Sequence, residues 1–284
     1  MELLNTNRYN IVIDRLKEIP FNTLFANSVL TNAVKGKVFV NNIESPGSFL
    51  VCHPYGMSLL FGDVNNELFN DDLTKYFLNK DNHRTKTEWL QVFPNDWNNK
   101  IYELSNNNII DYNNISNGKI EDINNYISEN RKGRLIQWNR INFFYNNKPI
   151  SIEIKDDNLE LHPVNKDNIS LIYGSVVPKA FWNSETDFLQ NGIGFILLNK
   201  GDFVSVAFSA FRDNEKLEIG VETSDKYRKK GMARIVCNAL LNYCIDNNLE
   251  PIWSCKKENT GSYNLALSLG FIEKYTLPYY ELVI

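Results

Sequence analysis

Nothing in the 284-residue sequence approaches the roughly 20 consecutive apolar residues of a membrane span. The opening Met1-Glu-Leu-Leu-Asn-Thr lacks a basic start with an apolar stretch behind it, so a cytoplasmic location without a membrane partner is expected. Cysteine is scarce. Cys52, Cys237, Cys244 and Cys255 form no Cys-x-x-Cys pair and read as reduced, mostly buried thiols. The three histidines, His53, His83 and His162, are scattered without metal-ligand spacing, and no metal is expected. Long low-complexity segments and fixed-period repeats are missing too. The frequent asparagines are interleaved with Ile, Tyr and Phe and read as compositional bias rather than disorder.

Positive charge is in deficit. A net charge of −4 and a pI near 5.5 argue against a general nucleic-acid binder and suit a cationic partner such as an amine. With 43% hydrophobic and 23% charged residues, the chain has ample core for two domains. The expected domains are 1–148, an N-terminal α/β domain, and 149–284, joined near Asn146-Asn-Lys-Pro149.

What is present concentrates in Glu218 to Arg234. Leu217, Ile219, Val221 and Thr223 alternate as in a strand, and Ser224-Asp225 turns the chain. From Met232 the apolar positions Ile235, Val236, Ala239, Leu240, Tyr243 and Cys244 recur every three or four residues, one stripe of a helix that must pack on a sheet. Between them, Gly231 and the small Ala233 leave first-turn amides uncovered, with Arg228, Lys229 and Lys230 around them: a place for phosphate at a helix N-terminus. The glycine spacing fits neither a nucleotide P-loop nor a dinucleotide fingerprint.

The run Arg228-Lys229-Lys230-Gly231-Met232-Ala233 resembles the acyl-CoA loop, Arg/Gln-x-x-Gly-x-Gly/Ala, of the GCN5-related N-acetyltransferases (GNAT). Downstream, Pro251 to Cys255 reads as a strand, Asn259-Thr-Gly-Ser262 opens a helix, and Leu265-Ala-Leu-Ser-Leu-Gly-Phe271 ends it as in that family. Upstream, Leu159 to Val164 with Asp167, a helix over Pro178–Leu189, and a hairpin of Ile193–Leu198 and Phe203–Phe211 extend the resemblance to about Lys155–Ile284. It implies a mixed-sheet α/β fold (GNAT) in the C-terminal domain and acetyl-CoA as cofactor, with CoA as product. By the same resemblance, Val221, Glu222 and Thr223 would pair with the pantetheine arm. The pyrophosphate would lie on Arg228, Lys229, Lys230, Gly231, Met232 and Ala233, with Asn259 and Ser262 near the thiol end or the pantetheine.

The implied reaction is attack of a primary amine, on a small molecule or a protein, on the thioester. It needs a base, donors for the carbonyl oxygen and an acid for the leaving thiolate. Glu222 is the candidate base, Glu218 on the same strand face the second, and water a third; a carboxylate in that apolar strand is expected to titrate high. The alternative for Glu222 is a structural acceptor for neighbouring amides. Where many relatives carry the acidic tyrosine this chain has Ala266, so Tyr263 is the candidate acid, with Tyr279 and Tyr280 as substitutes or packing residues. Cys255 reads as core rather than nucleophile, and Trp138, Trp182 and Trp253 as core rather than a cation pocket. The competing class is an acyl-CoA-binding sensor without catalysis.

In the N-terminal half, strands are expected at Lys37–Val40, Ser48–Cys52, Met57–Phe61, Trp89–Phe93 and Arg134–Tyr145, with helices at Asn70–Asn79 and Asp96–Leu104. This order suggests a degenerate copy of the same fold. No basic, glycine-spaced helix entry lies between Gly62 and Asp72, so no CoA site is expected there.

Overall fold

The structure, a computed structural model, describes residues 1–80, 82–115, 120–145, 154 and 156–284; the join expected at Asn146 to Pro149 and the 148/149 boundary lie outside them. The chain forms two compact units that interleave along the sequence. The first takes Met1–Arg140, Lys256–Glu258 and Thr276–Ile284, and the second Ile141–Cys255 and Asn259–Tyr275.

The elements of the first unit are β1 (Glu2–Leu3), α1 (Tyr9–Leu16), α2 (Leu24–Leu30), β2 (Lys37–Val40), β3 (Ser48–Cys52), β4 (Met57–Gly62), α3 (Glu67–Phe77), β5 (Glu88–Phe93), α4 (Asp96–Leu104), β6 (Ile109–Asp111) and α5 (Ile120–Asn130). Strand β7 (Leu135–Tyr145) follows and contributes residues to both units. The second holds β8 (Leu159–Pro163), α6 (Pro178–Phe181), α7 (Glu185–Asn191), β9 (Gly194–Asn199), β10 (Asp202–Arg212), β11 (Lys216–Thr223), α8 (Met232–Asp246), β12 (Glu250–Lys256) and α9 (Thr260–Ser268). The last strand, β13 (Phe271–Leu282), is again divided between the two.

Each unit is mixed α/β. In the first, β1 to β5 lie side by side in chain order, antiparallel except for the parallel pair β4 and β5 joined through α3. In the second, β8 to β12 do the same, with β11 and β12 the parallel pair and α8 the crossover. The expected parallel in element order is therefore present down to strand adjacency. The two parallel pairs differ in length. β4 and β5 stay in register from Met57↔Trp89 to Phe61↔Phe93. Among the described residues β11 and β12 pair only from Lys216↔Glu250 to Glu218↔Ile252, although β11 runs on to Thr223.

The helix stripe read from the sequence is partly the buried face of α8: Val236, Leu240 and Cys244 are buried, Ile235, Ala239 and Tyr243 are half-buried, and Cys237 and Leu241 complete the face. Val236, Cys237, Leu240, Leu241 and Cys244 are fully buried against Val204, Ala207, Leu217 and Trp253. In the first unit, Phe69, Leu73 and Phe77 of α3 and Trp97 and Ile101 of α4 pack with Leu50, Leu60 and Leu90 of the sheet. The indole N–H of Trp97 donates to the Gly62 carbonyl at 3.1 Å.

Two expected helices differ from the structure. The span Pro178–Leu189 breaks into α6 and α7 because Trp182 is extended and the Ser184 hydroxyl caps α7, accepting from the Asp187 amide at 3.0 Å. The helix expected from Asn70 begins at Glu67, since the Asn66 side chain accepts from the Phe69 amide at 2.9 Å. The sequence reading does not contain β1, α1, α2, β6, α5 or β13.

Leu240 sits at the centre of the α8 face with no exposed surface. Leu240→Ala should destabilise the second unit by about 2–5 kcal/mol, read by denaturant unfolding. A loss below about 1 kcal/mol would show that the α8 face is not the core of that unit.

Candidate functional site

The departure of β12 from β11 after Glu218 opens one edge of β11 while β10 keeps the other paired as far as Ser205↔Thr223. Strand main chain without a partner strand has hydrogen-bonding groups to offer, and an extended, amide-bearing ligand is what such an edge accepts. Val221, Glu222 and Thr223 lie on this stretch.

The chain then makes a short 3-10 turn at Asp225–Tyr227 and enters α8 through Arg228 to Gly231. Lys229 and Gly231 both take left-handed backbone, at φ 60° and 81°. Left-handed residues turn successive amides toward one side, the geometry of an anion nest. Gly231 is the N-cap residue and supplies no capping side chain, so the first-turn amides of this 15-residue helix have no side-chain partner. A Cβ added at Gly231 meets nothing within 4 Å, so the approach to these amides is open. The loop side chains of Arg228, Lys229 and Lys230 are exposed, while Met232 and Ala233 are half-buried at the helix start. The Arg228 amide donates to the Asp225 carbonyl at 3.3 Å and the Arg234 amide to the Gly231 carbonyl at 3.1 Å; the amides between them, the positive helix end and the local cations fit a bound pyrophosphate.

The loop is braced from below. Arg228 donates through Nε to the Thr223 carbonyl at 3.1 Å and pairs with Asp225 at 3.1 Å and Glu222 at 3.3 Å. Lys230 donates to the Lys226 carbonyl at 2.9 Å, and Asp202 holds the exposed Lys226 ammonium above its ordinary pKa.

Glu222 is buried at the expected place, and its carboxylate is heavily engaged. Oε2 accepts from the amides of Ser175 and Val176, both at 3.0 Å, and from the Ser175 hydroxyl at 3.3 Å. Oε1 accepts from the Thr223 amide and from Arg228, each at 3.3 Å. Gly174, at φ 132°, lies so close that an added Cβ would come within 2.6 Å of the Glu222 side chain. Tyr173 and Ser224 share a hydroxyl hydrogen bond of 2.8 Å. Residues 173–176 are thus fitted onto the end of β11. The sequence reading missed this segment, whose one signal is the glycine of Tyr173-Gly-Ser-Val176.

Tyr263 lies half-buried in the first turn of α9, one turn before the fully buried Ala266. Its hydroxyl donates to Glu273, which raises the phenol above its ordinary range; burial and the charge of Glu273 add to the shift. Asn259 is the N-cap of α9, accepting from the Ser262 amide at 3.2 Å, and the Ser262 hydroxyl accepts from Trp253 Nε1 at 3.2 Å. Both therefore have structural partners on this unit.

Other candidates settle into packing. Trp253 is buried, Trp182 donates to the Ser209 carbonyl at 2.9 Å, and Trp138, in the first unit, donates to Glu281 at 3.0 Å. Tyr279 and Tyr280 are buried in the first unit, where Tyr280 donates to Asn98 at 2.8 Å. Cys255 and Glu218 are buried. All four cysteines are free, and burial pushes the Cys244 thiol up to about 12. His53 is buried and pushed down to about 3 by desolvation and the nearby Lys86, while His162 sits beside Glu160 at 3.1 Å. Among the described residues no cluster of His, Cys, Asp and Glu could hold a metal, and no helix is long and apolar enough to cross a membrane.

The family model described as GNAT acetyltransferase matches residues 15–280. An uncharacterized N-acetyltransferase of Bacillus subtilis (strain 168), YdfB, is 25% identical over 260 residues, covering 90% of this chain and 89% of that one. A crystal structure of a GCN5-related N-acetyltransferase-like protein from Streptococcus suis 89/1591 superposes with a TM-score of 0.66 at 18% identity, over 98% of this chain and 99% of its own. A tandem GNAT protein from the clavulanic acid biosynthesis pathway superposes with a TM-score of 0.58 at 7% identity, over 98% and 96%. These last two likenesses concern the fold.

The Tyr263 contact carries its own expectation. In Glu273→Gln the phenol should titrate nearer its ordinary pKa of about 10, seen by ultraviolet difference titration. An unmoved tyrosine titration would remove Glu273 as the cause of the shift.

Proposed function

The chain belongs to the GNAT acetyltransferase family and is an acyltransferase; from that premise we propose that it transfers an acetyl group from acetyl-CoA to a primary amine by direct attack. The observation that carries this reading is the opening between β11 and β12 set immediately before the uncapped N-terminus of α8. When bound, acetyl-CoA supplies an acyl group activated as a thioester. The open edge at Val221 to Thr223 is our site for the pantetheine amides, and the amides from Arg228 to Ala233 are our site for the pyrophosphate. Arg228 adds charge to that cradle, held in place by Thr223, Asp225 and Glu222.

The attacking nitrogen must lose a proton, and the leaving sulfur must gain one. Tyr263 is our candidate donor to sulfur; its one O–H proton, held by Glu273 in the free protein, turns to the leaving thiolate. Two roles fit Glu222. As base it would take the amine's proton. As anchor it would hold residues 173–176 beside the reacting centre while water takes the proton. The five donors already on its two oxygens favour the anchor.

We read 149–284 as the acetyltransferase domain and 1–148 as a degenerate copy without CoA. In the first unit β4 and β5 stay paired to Phe61↔Phe93, Asn66 caps α3, and the first turn of α3 carries Glu67. A closed strand pair and a capped, acidic helix start both work against phosphate. The acceptor is a small amine or a protein amino group, and nucleic acid is not a partner in this reading.

Calorimetric titration with acetyl-CoA, followed by thiol release on adding a panel of amines, tests the whole reading. Binding with amine-dependent release is expected. Binding without release would make the chain an acyl-CoA sensor, and no binding would overturn the proposal. Gly231→Val should weaken acetyl-CoA binding by about tenfold or more, because it sets a branched side chain over the amides at a left-handed position. Unchanged affinity would sink the loop assignment. Glu222→Gln separates the two roles of that residue. An anchor predicts a pH–rate profile of unchanged shape with a raised KM for the amine, whereas a base predicts loss of the acidic limb with a kcat lower by about 100-fold.

A further inference from the structure

The first unit holds a cavity of about 530 Å³ that acetyl transfer leaves unused, and its volume is that of a small-molecule site. It lies by the His53–Met57 turn and the start of β5, that is, at the N-terminal ends of the parallel pair β4 and β5 rather than where α3 begins. It therefore does not correspond to the CoA position in the second unit.

Its lining is asymmetric in charge and depth. Lys35, Lys37, Lys75 and Lys86 are exposed and line the cavity, together with the Met1 ammonium, which pairs with Asp72. Lys75 is paired with Asp72 at 3.3 Å, Lys86 donates to the Pro54 carbonyl, and Lys37 makes no ion pair among the described residues. Deeper, the buried Tyr76 donates its hydroxyl to Glu88 Oε2 at 2.5 Å. Glu88 is half-buried and lines the cavity, and among the described residues Oε1 accepts no hydrogen bond. Burial raises the Glu88 carboxyl above its ordinary pKa, while Tyr76, Arg84 and the lysines oppose that shift. Beside it the rings of Tyr76 and His83 lie near-parallel, at 23° with centroids 6.5 Å apart.

An exposed ring of lysines attracts an anion. Glu88 Oε1, on a half-buried side chain that lines the same cavity, accepts no hydrogen bond among the described residues and is open to a donor from a ligand. We propose that this cavity binds a small organic anion whose acidic group rests on Lys37 and Lys86 and whose far end presents an N–H donor to Glu88. Both mononucleotides and amino-acid derivatives have that chemistry. The proposal does not depend on the acetyltransferase reading.

The test is calorimetry on the full chain with guanosine 5′-monophosphate and with Nα-acetyl-L-lysine, each carrying an acid at one end and N–H donors at the other. Guanosine and ribose 5-phosphate serve as half-ligands of the first, and Nα-acetylnorleucine of the second. One of the two full probes is expected to bind, its identity separating the nucleotide class from the amino-acid class. Its half-ligands should bind weaker by about tenfold, the loss of one hydrogen bond to a charged group. Glu88→Gln and the double variant Lys37→Gln/Lys86→Gln should each weaken the full probe by a similar factor, and the double variant should also flatten its salt dependence. The two lysines are exposed, so that variant tests the site without disturbing the core. Failure of both probes to bind at about 5 mM, or binding that survives both variants within twofold, overturns the proposal.

Discussion

Two parallel strands cannot separate without leaving main-chain groups unpaired, and the separation of β11 from β12 beyond Glu218 is the constraint around which the second unit is arranged. It is stable because β11 does not depend on β12. Its other edge is held by β10 to the last residue, and the crossover helix α8 is nailed to the sheet by five fully buried side chains. The end of β11 and the N-terminus of α8 are joined by only eight residues, Ser224 to Gly231. The same stretch of backbone therefore offers both an open strand edge and a set of uncapped amides.

The first unit shows what the same topology does without that separation. Its strands follow the same order, yet β4 and β5 remain paired through Phe61↔Phe93 and the helix between them starts with a side-chain cap and a glutamate. Few residues distinguish the two cases: Asn66 and Glu67 stand where the second unit has left-handed glycine and a basic run. The fold is shared, and the chemistry at the helix entry differs. What the first unit has instead is a lysine-rimmed cavity at the opposite ends of the same strand pair.

In the second unit, hydrogen bonds narrow what each of the candidate groups can do. Glu222 looks like a base by position but spends both oxygens on residues 173–176, Thr223 and Arg228. Tyr263 looks like an ordinary helix tyrosine but hands its proton toward Glu273. Asn259 and Ser262 hold the start of α9 and the Trp253 indole. A buried polar group has few partners to choose from, and each partner it takes narrows its chemistry.

The sequence by itself determined the local events. Alternation in Leu217 to Thr223, the stripe from Ile235 to Cys244, and a glycine ahead of that stripe specify strand, helix and the turn between them, because each is encoded by neighbours within one or two turns of chain. It also placed most strands of the first unit. It did not show the break at Trp182 to Ser184, where a cap competes with helix continuation, nor β13, whose residues are divided between the units. Only the tertiary structure decided that β11 and β12 part after Glu218, that Gly174 brings two amides onto Glu222, and that Glu273 meets Tyr263. Residues 174 and 222 are 48 positions apart, and their meeting is set by packing rather than by spacing; contacts of that range leave no periodic trace for a sequence to reveal.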